Sequence, residues 1–373
     1  MVISWFTENY PPAKGGMSRS CDRIITNLRR HHTINVYHFT NKNKAFQTEA
    51  QINGSYTAIP VFEDSSHTLN VLWAFISKQK EILASYILVG FGSNLCFKGL
   101  PLIANWLQKP SLMCIRGNDF DTAIFSNKMQ HILYAIHNTS AIACVTQEKV
   151  VRIQRMNPSA QVYHTPNSIH LEDWEVLASD QKLAVSYKEA LHLDENTTVI
   201  GLVGFLKQKK GIDFFLSVLQ KSEFNKNVHL RIVGEIESHL EELLISRNVK
   251  YSIVVPESKT ELMANYLICD IVAIPSIYDG MPNVIFEAAA LEIPILASNA
   301  GGIPDILHQD NAFLFDVLSE KSLLMALTEF YRSTASDLKT KTTNLMRTLK
   351  EDFTPAQETQ NYLDIFNHIK KLS

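Results

Sequence analysis

The chain has 373 residues, 46% of them hydrophobic and 20% charged, with 35 Lys and Arg against 38 Asp and Glu. At roughly 150 residues per domain this length fits two domains or a little more, and the apolar share excludes a collagenous, coiled-coil or disordered chain. The longest run free of Asp, Glu, Lys, Arg and His, 82–97, is interrupted by Gly90, Gly92, Ser93 and Asn94 and is shorter than the ~20 apolar residues that cross a bilayer. The opening Met1–Phe6 has no basic residue ahead of its apolar ones. It reads as a first strand rather than a signal peptide, and a cytoplasmic location is expected. Cys21, Cys96, Cys114, Cys144 and Cys269 are scattered, without a C-x-x-C pair. That argues for buried reduced thiols, not a disulfide framework or a zinc site. The N-x-S/T matches at Asn53, Asn138 and Asn196 are then chance. Charge is uneven: residues 1–170 carry 16 Lys and Arg against 9 Asp and Glu, and residues 171–373 carry 19 against 29. Such asymmetry fits two domains, the first of them facing an anionic partner or simply bearing a solvated basic surface.

In chain order, short β-rich runs are expected at 2–6, 35–38, 85–90, 112–116, 141–146 and 161–165. A second series is expected at 199–203, 229–233, 251–255, 271–275, 295–298 and 311–315. Amphipathic helical patterns lie between them, at 19–30, 214–220, 239–248, 259–266 and 282–291 among others. This alternation predicts parallel sheets covered by helices on both faces. The polar stretch 172–196 separates the two series. The expected architecture is therefore α/β, with two doubly wound, Rossmann-like domains facing a cleft. Ligands in such sheets bind at the carboxyl ends of the strands. The last stretch, 355–373, carries an amphipathic pattern (Tyr362, Ile365, Phe366, Ile369) that fits a helix packing back on the first domain.

The segment 274–307 (IPSIYDGMPNVIFEAAALEIPILASNAGGIPDIL) reads as strand, turn and helix, with Pro282 in the first helical turn. The free N–H groups and the helix dipole there favour an anion. Asp279 and Glu287 are eight apart, which is about two turns and so roughly one face. Such a pair can hold vicinal hydroxyls, although a capping Asp and a solvated Glu is the competing reading. Gly301-Gly302 offers further N–H groups. The segment 199–219 ends a strand at Gly204 and follows it with Lys207, Lys209 and Lys210 before Gly211. Lysines at a strand's carboxyl end can neutralise a diphosphate; a solvated basic loop is the alternative. In 10–19 (YPPAKGGMSR), Gly15 and Gly16 precede a helix and let backbone approach a ligand. Neither G-x-G-x-x-G nor G-x-x-x-x-G-K-[ST] is present, which disfavours a nicotinamide enzyme and a P-loop NTPase.

Taken together and in this order, YPPAKGG, GFLKQKKG, PNSIH (166–170) and PSIYDGMPNVIFEAAA resemble motifs of the retaining GT-B glycosyltransferases, specifically family 4 of the group 1 transferases. The resemblance covers most of the chain, its specific motifs lying in 199–307. It implies a GT-B fold with an acceptor-binding domain at 1–170, joined by the helix at 355–373, and a donor-binding domain at 171–354. The implied reaction moves a hexose-type sugar from a nucleotide-diphosphate sugar to a glycan or lipid-linked acceptor, with retention and without a metal or other cofactor. Nucleic acid is not an implied partner. By the same resemblance Lys210 would stabilise the leaving diphosphate, Asp279 would hold the donor sugar and Glu287 the ribose. Gly280, Met281, Pro282 and Asn283 would offer backbone N–H groups, and Val255, with Pro256, would meet the base. Gly15 and Gly16 complete the donor-binding set.

Three departures bear on this reading. The family's arginine after the loop glycine is Phe205, its first Glu is Asp279, and its His-containing first-domain loop reads Arg116-Gly117-Asn118-Asp119. Either Arg116 or Lys207 is the expected replacement cation; alternatively Arg116 pairs with Asp119 or Asp121. Arg19, Arg23, Arg29, Arg30, His31 and His32 near the first helix could meet an anionic membrane at the cytoplasmic face, which suits a lipid-linked acceptor. Two rival functions remain open: a homologue that binds nucleotide sugar without turnover, and a GT-B-fold nucleotide-sugar epimerase.

Overall fold

The computed structural model describes residues 1–13, 15–92, 94–194 and 196–372; Lys14 of the first glycine loop lies outside them, as do Ser93, Glu195 and Ser373. The chain divides into two compact units, Met1–Asn167 with Pro355–Ser373, and Ser168–Thr354.

Unit 1 holds strands β1 (Val2–Thr7), β2 (Thr33–Thr40), β3 (Gln47–Gln51), β4 (Gly54–Pro60), β5 (Ile87–Phe91), β6 (Ser111–Ile115), β7 (Ala141–Cys144) and β8 (Val162–His164). Their order is β3-β4-β2-β1-β5-β6-β7-β8, with only β3 antiparallel to its neighbour. Alternate residues serve opposite faces of this sheet. Ile3, Trp5, Val89 and Cys114 join one apolar layer, while Phe6, Leu88, Met113 and Ile115 join the other. A sheet buried on both faces needs helices on both, and its strands read as continuous apolar runs. The helix Pro355–Leu372 supplies Tyr362, Ile365, Phe366 and Ile369 to the first layer, beside Cys21, Ile24, Ile25 and Leu28 of the helix Gly16–Leu28. Arg23 of the latter donates to both carboxylate oxygens of Glu358 at 2.9 Å.

The β3–β4 hairpin was not expected. Gln47–Gln51 is a polar, mostly exposed edge strand, so it lacks the apolar alternation by which strands are read. The Asn53-Gly54 dipeptide at its turn was the available signal.

Unit 2 holds β9 (Thr198–Val203), β10 (Val228–Val233), β11 (Tyr251–Val254), β12 (Ile271–Ile274), β13 (Ile295–Ser298) and β14 (Phe313–Phe315). All are parallel, in the order β11-β10-β9-β12-β13-β14. This is the doubly wound dinucleotide-fold order, and its direction reverses between β9 and β12, where such sheets bind ligands. The stretch 172–196, read as a polar separator, instead contains the helix Ala178–Ala190, packed against the helix Lys259–Leu267. Its buried positions are only Asp180 and Ala184, too few to register as an apolar stripe. The five cysteines are free and buried. Among the described residues no helix is long and apolar enough to cross a membrane.

Candidate active site

The switch point of unit 2 is built by two loops, one leaving β9 and one leaving β12. The first runs from Gly204 through a short 3₁₀ turn, Gln208–Lys210, into the helix Ile212–Lys221. Gly211 closes that turn at φ +67°, and a Cβ on it would lie 2.0 Å from the Pro275 carbonyl oxygen. Only glycine therefore lets the β9 loop lie against the end of β12. Ile277 N–H donates to the Lys209 carbonyl at 2.8 Å and fastens the same contact.

The second loop carries Asp279. Its Oδ2 accepts from Lys210 Nζ in a short ion pair, and Lys209 Nζ lies 3.4 Å from Oδ1. Gly280 N–H donates to Oδ1 at 3.0 Å and the Ser276 hydroxyl to Oδ2 at 3.4 Å. Burial by itself pushes this carboxyl up; Lys210 and Lys209 outweigh it and hold Asp279 below the usual carboxylate range. The loop is braced from behind. Gly301, at φ +54°, would place a Cβ 1.8 Å from the Asp279 carbonyl oxygen, and Gly302 N–H donates to the Gly280 carbonyl at 3.0 Å. The Gly301-Gly302 pair, expected to offer N–H groups to a ligand, thus spends one of them supporting the Asp279 turn.

The helix after this loop is Asn283–Ala290, with Pro282 at its N-cap in extended conformation rather than inside the first turn. No side chain caps it, and its first turn holds no acid. Asp279 lies four residues ahead of this helix, so helical spacing does not put it on one face with Glu287. Glu287 is 5% exposed, and its Oε2 accepts from the hydroxyl of fully buried Tyr266 at 2.7 Å. Sequence spacing could not reveal Tyr266, which reaches Glu287 from the helix Lys259–Leu267.

Lys207 stands apart from the Asp279 cluster. Its ammonium lies 4.3 Å from the centroid of the Phe205 ring, which is 44% exposed. The cation is thus seated at the residue that departs from the family's arginine. Val255, also exposed, follows the edge strand β11.

In unit 1, Gly15 N-caps the helix Gly16–Leu28 beyond the carboxyl end of β1, at that sheet's own reversal between β1 and β5. Arg116 corrects the expectations placed on it. It is 7% exposed, and its guanidinium donates to the Thr165 carbonyl at 3.3 Å, the Tyr362 hydroxyl at 3.4 Å and, in a short bond, Asn167 Oδ1. Asp119 instead takes the Arg116 backbone N–H at 3.1 Å, and Asp121 pairs with Lys149 at 3.0 Å. The Arg116 side chain therefore forms no ion pair with those acids among the described residues, and its acceptors are neutral. The basic face of the first helix also shrinks. Arg23 is taken up by Glu358, and Arg29 donates to the carbonyls of Ile34 and Ser55. Among the described residues no group of three or more His, Cys, Asp or Glu is gathered to hold a metal ion.

Two doubly wound units of this kind define the fold class, GT-B. Sucrose-phosphate synthase of Thermosynechococcus elongatus superposes with a TM-score of 0.80 at 13% identity, covering 100% of this chain and 99% of that one. Anabaena HepE, solved in complex with UDP and glucose, gives 0.78 at 14% identity over 99% and 100%. Residues 186–344 match the glycosyl transferases group 1 family. Alpha-galactosylglucosyldiacylglycerol synthase of Streptococcus pneumoniae is 24% identical over 61% of this chain and 59% of its own length. The first curated relatives are matched over 33% to 57% of their own length.

Proposed function

We propose that this chain is a retaining glycosyltransferase that moves a hexose-type sugar from a nucleotide-diphosphate donor to a glycan or lipid-linked acceptor, without a metal, in polysaccharide or cell-envelope glycan synthesis at the cytoplasmic face. The observation that carries the reading is the Lys209–Lys210–Asp279 cluster at the β9/β12 reversal, beside the start of the Asn283–Ala290 helix. Two ammonium groups against one carboxylate leave that corner net cationic, as a diphosphate requires. The UDP and glucose bound by HepE and the glycosylated diacylglycerol product in the streptococcal relative's name support the donor and acceptor classes.

In this reading unit 2 binds the donor and unit 1 the acceptor. Lys210 leaves Asp279 for the diphosphate, and Asp279 turns to the sugar hydroxyls. N–H groups around Gly280–Asn283 meet the sugar and phosphate. Glu287, steadied by Tyr266, takes the ribose, Val255 borders the base, and Lys207 supplies the second cation. The C1–O bond to the diphosphate breaks, the acceptor hydroxyl attacks from the same face, and its proton passes to the departing phosphate oxygen. Lys210 meets the charge that develops there.

Incubation of the purified protein, with and without EDTA, with UDP-, GDP- and ADP-sugars tests this. Release of nucleoside diphosphate that EDTA does not slow is the expected result, and the anomeric coupling of the product reports retention. Protection from melting without turnover would instead make the chain a nucleotide-sugar binder. Conversion of one nucleotide sugar into another would make it an epimerase. A peripheral membrane contact now rests on exposed Arg19, Arg30 and His31. Cosedimentation with phosphatidylserine vesicles but not phosphatidylcholine vesicles is its test.

A further inference from the structure

The amino ends of β9, β10 and β11 carry an open pocket of about 480 Å³, at the opposite end of the unit 2 sheet from Asp279. That volume lies in the ~300–1,000 Å³ range of small-molecule sites. His192, Asp194, Thr197, His229, Lys250 and Tyr251 are among its lining residues. Behind it sits an uncommon charge. Arg231, two residues beyond His229 on β10 and so on the same face, is 8% exposed. Its Nε and Nη2 donate to Asn265 Oδ1 at 2.9 and 2.6 Å, and its Nη1 to the Ser252 hydroxyl at 2.8 Å. These acceptors are neutral, so the guanidinium keeps its charge beneath the pocket instead of spending it on a carboxylate.

The same Ser252 oxygen lies 2.8 Å from His229 Nε2. A guanidinium only donates, so the hydroxyl accepts from Arg231 and has its own proton to give to Nε2. When the hydroxyl gives that proton to Nε2, the imidazole proton sits on Nδ1, for which no protein hydrogen bond is found among the described residues, in a ring that is 7% exposed and lines the pocket. Burial first, then Arg231 and Lys250, hold His229 below its ordinary pKa, so it is a neutral donor at pH 7. Lys250, exposed at the rim, forms no ion pair among the described residues. Among the described lining residues Asp194 is the acid that opposes these cations.

We propose that this pocket is an anion site, separate from the donor site, that takes a phosphoryl dianion, either free or carried on a small polar molecule. His229 Nδ1–H and Lys250 would bind the oxygens over the Arg231 charge, and Asp194 would accept hydroxyls of a carrier. The inference stands whether or not the chain transfers sugar.

Thermal melting of the full chain tests it, in inorganic phosphate against sodium chloride at matched ionic strength. A rise in Tm of about 2–4 °C is expected at phosphate roughly ten times its Kd. The rise should vanish in His229→Gln and Lys250→Gln, variants whose own Tm in chloride reports that they fold, and persist in Lys210→Ala. Repeating the titration with glucose 6-phosphate separates the two sources: tighter binding than inorganic phosphate assigns a carried phosphoryl, equal binding a free one. No rise over chloride, a rise that survives both pocket substitutions, or one lost in Lys210→Ala would overturn the proposal.

Discussion

With Lys210 in direct contact and Lys209 at 3.4 Å, the Asp279 carboxylate serves two cations. Lys210→Ala should lower kcat by about 10²–10³, the cost of removing one preorganised donor to a developing oxyanion, with the fold intact. Asp279→Asn separates charge from sugar contact. It leaves both lysines uncompensated, so nucleoside diphosphate should bind more tightly, by about tenfold, while transfer falls. Isothermal titration and turnover on the same sample check both parts. Asp119 behaves oppositely to Asp279. Burial raises it to about 6, against the lowering effect of the Arg116 N–H and Lys149. Its folded pKa exceeds its unfolded value near 3.8. The folded state therefore binds the proton more tightly, and this residue's contribution to stability is present below pH 4 and declines as pH rises towards 6. Asp119→Asn, which keeps an oxygen for the Arg116 and Phe120 N–H groups, should flatten that part of the Tm–pH curve.

At the scale of elements, the site is two loops pressed so closely that their contact points have no room for a side chain. Gly301→Ala brings a methyl within 1.8 Å of the Asp279 carbonyl oxygen and adds left-handed strain of about 1–3 kcal/mol. Movement of the 279–280 turn is the least costly escape, so activity should fall well before unit 2 unfolds; circular dichroism and turnover at one temperature would show the gap. Tyr266→Phe removes a single hydroxyl from the Glu287 carboxylate. Donor KM should rise with little change in kcat if Glu287 only binds. These elements were largely visible in the chain's pattern: each strand expected for unit 2 is present within two residues at either end. The parallel strands read clearly because both their faces are apolar, whereas Gln47–Gln51, polar on an edge, did not.

At the scale of the molecule, the last helix belongs to the first unit. Fully buried Tyr362 places its ring 6.0 Å from Trp5 and its hydroxyl 3.4 Å from Arg116. Tyr362→Ala should cost unit 1 about 3–5 kcal/mol, the usual penalty for emptying an aromatic core site, and remove one of the three acceptors of the Arg116 guanidinium as well. Denaturant unfolding followed by hydrogen exchange should show protection lost in β1, β5 and β6 while β9–β12 keep theirs.

Sequence alone determined the strand and helix periods, the two series of strands and the identity of the charged loop residues, because these follow from local apolar spacing and turn chemistry. Partnership was decided only by the tertiary structure. Arg116 and Lys207 looked like equal candidates for one missing charge until folding placed the first among neutral oxygens in unit 1 and the second over Phe205. Asp279 and Glu287 looked like one helical face until the helix began at Asn283 and left the aspartate to the lysines. A side chain's chemistry is written in the chain, but its pKa, its partner and its exposure depend on residues up to hundreds of positions away, which only packing brings within reach.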